Sequence, residues 1–134
     1  MNDFLESLKN ELPDAFTCLT EKQTDWLKTR NYGFRFEYKD WKDFDFKFEF
    51  EGINLSGLII GIVRKHTCTK DIRGIDEAKE LADRLNFNKS NNNWFWYYPT
   101  EPKYSNWFNV ESIQMLLDGS MKKWIIDKLT SAIK

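Results

Sequence analysis

Pro13-Asp14 and, further on, Asp45-Phe46-Lys47 are the residues of this chain whose types could do chemistry together. Two carboxylates can hold a divalent metal while a lysine assists the attacking water, which is metal-assisted hydrolysis. The spacing is weak evidence. The same acid-x-Lys step recurs at Glu37-Lys39, Asp40-Lys42 and Glu101-Lys103 in a chain with 31% charged residues. Pro13-Asp14 also follows a helix stop, whereas the chemistry wants that Asp on a strand beside Asp45. Asp45, Lys47 and Glu49 read more simply as the wet face of an amphipathic strand. No catalytic residue and no metal ligand is assigned, no cofactor is expected, and the chain is expected not to be an enzyme.

His66 is the only histidine, which removes paired-histidine metal sites. Around it Arg64, Lys65, Lys70 and Arg73 form a basic stretch able to contact phosphates, although a charge run is more commonly a solvated strand exit. Cys18 and Cys68 lack metal-ligand spacing and an oriented base, so both read as structural thiols, with a single bridge left open.

The segment from Asn88 to Tyr98 mixes amides with rings. On a strand Trp94, Trp96 and Tyr98 share one face, and Phe95 and Tyr97 share the other. One helix layer covers one face, so the second needs loops or a partner. Trp94, Trp96 and Tyr98, with Asn91, Asn92 and Asn93, are therefore the candidate recognition surface. Asp43, Asp45, Glu49 and Glu51 add an acidic face that could mimic phosphate toward a basic active site and speed association.

Around these residues the chain alternates. Tyr32, Phe34, Phe36 and Tyr38, then Phe44, Phe46, Phe48 and Phe50, are separated by polar or charged residues, which predicts two half-wet antiparallel strands. Leu58 to Val63 is apolar on both faces and predicts an interior strand, covered by helices on one side and by aromatics or a partner on the other. Trp94 to Tyr98 predicts a fourth strand. Leu5, Leu8 and Leu12 predict a helix stopped by Pro13, and Thr20 with Gln23 reads as a capping box opening a short helix with Trp26 and Leu27. Glu51 to Asn54 reads as a turn and Pro102 as an extended or turn segment. A helix is predicted from about Ile75 to Asn86, another capped by Asn109 and ending near Gly119, and a last one capped by Ser120. The expected fold is α+β: a three- to four-stranded antiparallel meander, with N- and C-terminal helices packed on one face.

The 134 residues suit a single domain over 1–134, and 16% aromatic content gives it a core without staples. A net charge of −1 argues against a protein that coats duplex DNA. The acidic start, Met1 to Glu6, has no apolar run and no stretch could span a bilayer, so no membrane association is expected and a cytoplasmic location is.

The order Asn31-Tyr32-Gly33-Phe34-Arg35-Phe36-Glu37, Leu58-Ile59-Ile60-Gly61-Ile62, Trp94-Phe95-Trp96-Tyr97-Tyr98 and Tyr104-Ser105-Asn106-Trp107 resembles the C-terminal region of bacterial PD-(D/E)xK nuclease-superfamily proteins. The likeness runs over roughly residues 30 to 134, including a Gly-containing turn at Leu117 to Met121 and a final amphipathic helix. The family's catalytic centre lies in an N-terminal nuclease domain that these residues do not include, so no catalytic residue is carried over. What the resemblance implies is a free-standing accessory domain used for recognition or docking. The expected function is a non-enzymatic protein-binding module, an inhibitor or immunity-type protein of a bacterium or phage that neutralises a toxin, nuclease or defence protein. The alternative is a nucleic-acid-binding module using Arg64, Lys65, Lys70 and Arg73, with a degenerate metal-dependent nuclease third. An aromatic edge strand would also suit a homodimer.

Overall fold

Side chains on a strand alternate between faces, so the alternating aromatics must line one side of a sheet. The computed structural model describes residues 2–20 and 31–133. Its strands are β1 (Phe16–Thr20), β2 (Tyr32–Tyr38), β3 (Phe44–Phe50), β4 (Leu58–Arg64), β5 (Lys89–Ser90) and β6 (Trp94–Tyr97). They form one sheet in the order β1-β2-β3-β4-β6-β5, and every neighbouring pair is antiparallel. The class is α+β as expected, but six strands replace the three or four predicted.

The register joins the aromatics into a continuous floor. Phe34 lies opposite Phe48 and Phe36 opposite Phe46; Phe48 then faces Ile60, Phe46 faces Ile62, and Ile62 faces Phe95. Phe34 and Phe48 stack at 5.3 Å between centroids with their planes 8° apart. The helices pack on this face. They are α1 (Asn2–Asn10), α2 (Asp76–Arg84), α3 (Pro102–Ser105), α4 (Val110–Asp118) and α5 (Ser120–Ala132). Leu5 and Leu8 of α1, Ala78, Leu81 and Ala82 of α2, and Met121, Ile125, Leu129 and Ala132 of α5 join the phenylalanines in one core. Trp107 is fully buried at one end of the floor, edge-on to Phe50 at 4.9 Å, with its Nε1–H donating to the Tyr104 carbonyl.

Local signals explain the differences from expectation. The strand β1 escaped notice because Leu19 sits on its outer face and blurs the alternation. Thr20 is the last residue of that strand, and the helix it was expected to open, with Gln23, Trp26 and Leu27, lies outside the described residues. Pro102 opens the one-turn helix α3, where its missing N–H costs nothing. Asn109 does cap α4, its Oδ1 accepting from Ser112 N at 2.9 Å, and Gly119 ends it at φ 89°, a left-handed conformation that suits glycine. Ser120 is the first residue of α5 rather than its cap, and its N–H donates to Asp118 Oδ1. Among the described residues no helix is long and apolar enough to cross a membrane.

Candidate functional site

The reverse face of the sheet carries no helix among the described residues and holds the candidate site. Across it Lys47 pairs with Gly61 and Gly61 with Trp96, Val63 pairs with Trp94, and Glu49 pairs with both Gly33 and Ile59. Ile59 and Val63 are buried, yet lie outside the helix-covered core. Their cover is the half-buried pair Trp94 and Trp96, whose rings meet at 6.3 Å and 66°. The second face of β4 is thus closed by aromatics of its own sheet, one of the two options its sequence left open.

Gly61 makes this closure geometrically possible. A Cβ there would stand 2.9 Å from Trp96 Cα and Cβ and would also meet the Phe95 carbonyl. Two of those obstacles are backbone, which cannot swing aside. Gly61→Ala is therefore expected to lift β6 off β4 and cost about 2–3 kcal/mol, as overpacking does. Urea unfolding measures this; a loss below about 0.5 kcal/mol would show that the two strands are not held this closely.

Beside the tryptophans the surface sinks into an open-sided hollow of about 470 Å³. Ile59, Trp94 and Trp96 supply its apolar lining, Glu49 and Glu51 its acids, and Asn31 and Asn91 its amides. Five of the ten residues chosen from sequence for partner binding (Glu49, Glu51, Asn91, Trp94 and Trp96) therefore meet at one place. Tyr98 joins them through its hydroxyl, which donates to Glu51 Oε1 at 2.6 Å. That bond holds the Tyr98 pKa above its ordinary value, helped by burial and the Glu51 charge. Lys47 Nζ lies 2.9 Å from Glu49 Oε1 and 5.3 Å from the Trp94 ring centroid. The Trp96 Nε1–H is buried and makes no hydrogen bond of good geometry.

The remaining acids and amides do other work. Asp45 is 2% exposed and cannot belong to an acidic contact face. Its Oδ1 is 3.2 Å from Lys65 Nζ and its Oδ2 is 3.4 Å from Arg35 Nη1, while Lys65 also reaches Glu37 Oε2 at 3.3 Å. Burial pushes the Asp45 carboxyl up, and Lys65 and Arg35 only partly pull it back. Burial also works against the Lys65 ammonium, but Asp45 and Glu37 overturn it and hold its pKa above the ordinary value. Asp43 is half-buried, and its carbonyl accepts from Lys65 N. The asparagine run is mainly turn chemistry: Asn91 Oδ1 accepts from the backbone N–H groups of Asn93 and Trp94, which reverses the chain between β5 and β6. Asn92 is exposed with its carbonyl bound by Ile72 N, and Asn93 Oδ1 accepts from Arg64 Nη2 at 2.6 Å.

The basic stretch is no open phosphate cradle. Arg64 donates to Asn93 and to the Thr69 and Lys70 carbonyls, and Lys65 serves Asp45 and Glu37. Arg73 holds Asp71 through two side-chain hydrogen bonds and pulls that carboxyl down to about 2. Of the four, Lys70 alone makes no hydrogen bond or ion pair through its side chain among the described residues. Both cysteines are free thiols, which settles the open bridge, and burial pushes Cys18 up to about 11 against the pull of Lys9. Among the described residues no group of three or more His, Cys, Asp or Glu could hold a metal ion.

One surface was missed by sequence reasoning. The helix α4 turns Ser112 into the protein, where its hydroxyl donates to the Lys103 carbonyl at 2.6 Å, with Met115 and Leu116 packed against the core. Yet Val110 (84% exposed), Ile113 (40%) and Leu117 (83%) point to water, beside Phe108 at 53%. Phe108, Ile113 and Leu117 border an apolar groove of about 540 Å³ that Phe4, Leu55, Trp107 and Leu116 also line. The signal was present: a helix with apolar residues on both sides has one face more than its own fold can cover. The chain matches no family model, no curated protein and no solved structure.

Proposed function

We propose that this chain is a protein-binding module that neutralises a toxin or nuclease by covering its active surface. The carrying observation is the outward stripe of α4, where Val110, Ile113 and Leu117 stand exposed at i, i+3 and i+7, the last two on the border of an apolar groove. A contiguous exposed apolar patch marks an interaction surface, and that spacing is how a helix presents anchors to another protein. The sequence resemblance to an accessory region of nuclease-superfamily proteins implies a recognition or docking domain, which agrees with this use. The nucleic-acid reading is weaker, because Arg64, Lys65 and Arg73 already hold acceptors of their own chain.

The test is affinity capture from the native host with the natural sequence and with Val110→Glu/Leu117→Glu. Both side chains are solvent-exposed, so the variant should unfold within about 0.5 kcal/mol of the natural protein. The natural sequence should retain a protein in stoichiometric amount and the variant should release it. Recovery of no partner, or equal recovery by both, would sink the proposal; steeply salt-dependent oligonucleotide binding would replace it with the alternative.

A further inference from the structure

We infer that the hollow on the reverse face of the sheet seats an arginine side chain of the partner protein, an assignment that rests on the protein-binding reading above. Its volume of about 470 Å³ falls within the range of side-chain and small-ligand pockets, and it is open on one side. The tryptophans supply flat aromatic walls, Ile59 lines the hollow between strands, and Glu49 and Glu51 bring two carboxylates. Each carboxylate has one oxygen engaged, Glu49 Oε1 by Lys47 and Glu51 Oε1 by Tyr98. The second oxygen of each has no partner among the described residues.

The protein itself shows that a cation suits these walls. Lys47 Nζ sits 5.3 Å from the Trp94 centroid while bound to Glu49, which joins a cation–π contact to an ion pair. The lining itself holds two acids and no base, and the neighbouring ammonium groups of Lys47 and Lys89 stand over Trp94 and Tyr98 at its rim. An ammonium would meet those acids as a point. A guanidinium does more: its planar fork can donate to oxygens of two different carboxylates, its face stacks on an indole, and it gives up hydration more readily. Phosphates and acidic peptides are repelled by the same carboxylates. A nuclease or toxin with a basic active surface would present this group where it acts on phosphate.

Binding is read from the Trp94 and Trp96 indole N–H resonances of isotope-labelled protein during titration with Nα-acetyl-arginine amide. Both should move, and Nα-acetyl-citrulline amide, neutral and of the same shape, should move neither. Nα-acetyl-lysine amide should bind several-fold more weakly. Glu49→Gln/Glu51→Gln should weaken the arginine probe by about tenfold or more, whereas Lys47→Met, which removes the internal competitor, should strengthen it several-fold. Opposite signs in the two variants are not produced by a general loss of fold. Equal response to citrulline, no indole movement with arginine, or weakening in Lys47→Met would overturn the assignment. If a partner is still captured through α4 while arginine leaves the indoles unmoved, the arginine seat falls and the protein-binding reading stands.

Discussion

Phe48→Ala should lower the unfolding free energy by about 4 kcal/mol, the middle of the range for a buried phenylalanine. Phe48 lies on the central strand β3, with no exposed surface. Its ring stacks on Phe34 at 5.3 Å and touches Phe46 at 5.6 Å, Phe36 at 5.8 Å and Trp124 of α5 at 6.1 Å. The cost depends on whether neighbours can close the cavity, and here each is pinned elsewhere. Phe34 also leans on Trp107, Phe46 on Phe87, and Trp124 is stacked on Tyr104 at 4.2 Å. Collapse would therefore break further ring contacts. Phe48→Leu, which keeps most of the volume, should cost only about 1–2 kcal/mol. Urea unfolding at an unchanged slope is the measurement, and a loss below about 2 kcal/mol for the alanine variant would show that the aromatic floor repacks freely.

Sequence reading reached furthest where one physical period dominated. The strands β2 and β3 were legible because alternation of aromatics with polar or charged residues has no other explanation, β4 and β6 because short runs apolar or aromatic on both faces suit an interior strand, and Asn109 and Gly119 marked α4 by side-chain capping and left-handed backbone. Lys89–Ser90 was not legible: it is a strand only because Asn91 folds the chain back onto β6. The candidate site was half legible. Alternation put Glu49, Trp94 and Trp96 on the faces that meet, but no pattern shows which charges will be spent internally. Asp45 looked like its neighbours Lys47 and Glu49. It was lost to the surface because antiparallel pairing of β3 with β4 returns Lys65 to its side, across 20 residues of sequence. Arg64 and Arg73 were likewise consumed by loop carbonyls and a neighbouring acid, partners that charge counting cannot see.

That internal use of charge gives an effect that depends on pH: Lys65→Met should cost about 2 kcal/mol at neutral pH and far less in acid. The Asp45 side chain is 3% exposed, and loss of Lys65 leaves it facing only Arg35 at 3.4 Å. Removing one partner of a buried pair costs roughly 3–5 kcal/mol, reduced here because Arg35 stays and Lys65 is itself partly wet. The loss of Glu37 as a partner adds little, since that side chain is partly exposed and solvent screens the pair. Burial already holds the Asp45 pKa above its ordinary value, and deleting Lys65 removes the strongest opposing charge and raises it further. A carboxyl with a raised folded-state pKa binds its proton more tightly in the fold than in the unfolded chain, so the fold gains stability as pH falls through that value. The deficit of the variant is thus complete above the Asp45 folded pKa and shrinks as pH drops through it toward the ordinary carboxylate range. Lys65 titrates far above this window: its raised pKa keeps its contribution whole below the ordinary lysine range and surrenders it only as pH climbs through the folded value. Lys65→Met/Asp45→Asn, which replaces the central charge pair with neutral groups, should recover most of the stability at neutral pH. Equal deficits at neutral and acidic pH, or a double variant no more stable than the single one, would mean that the stranded carboxylate is not what the lysine restrains.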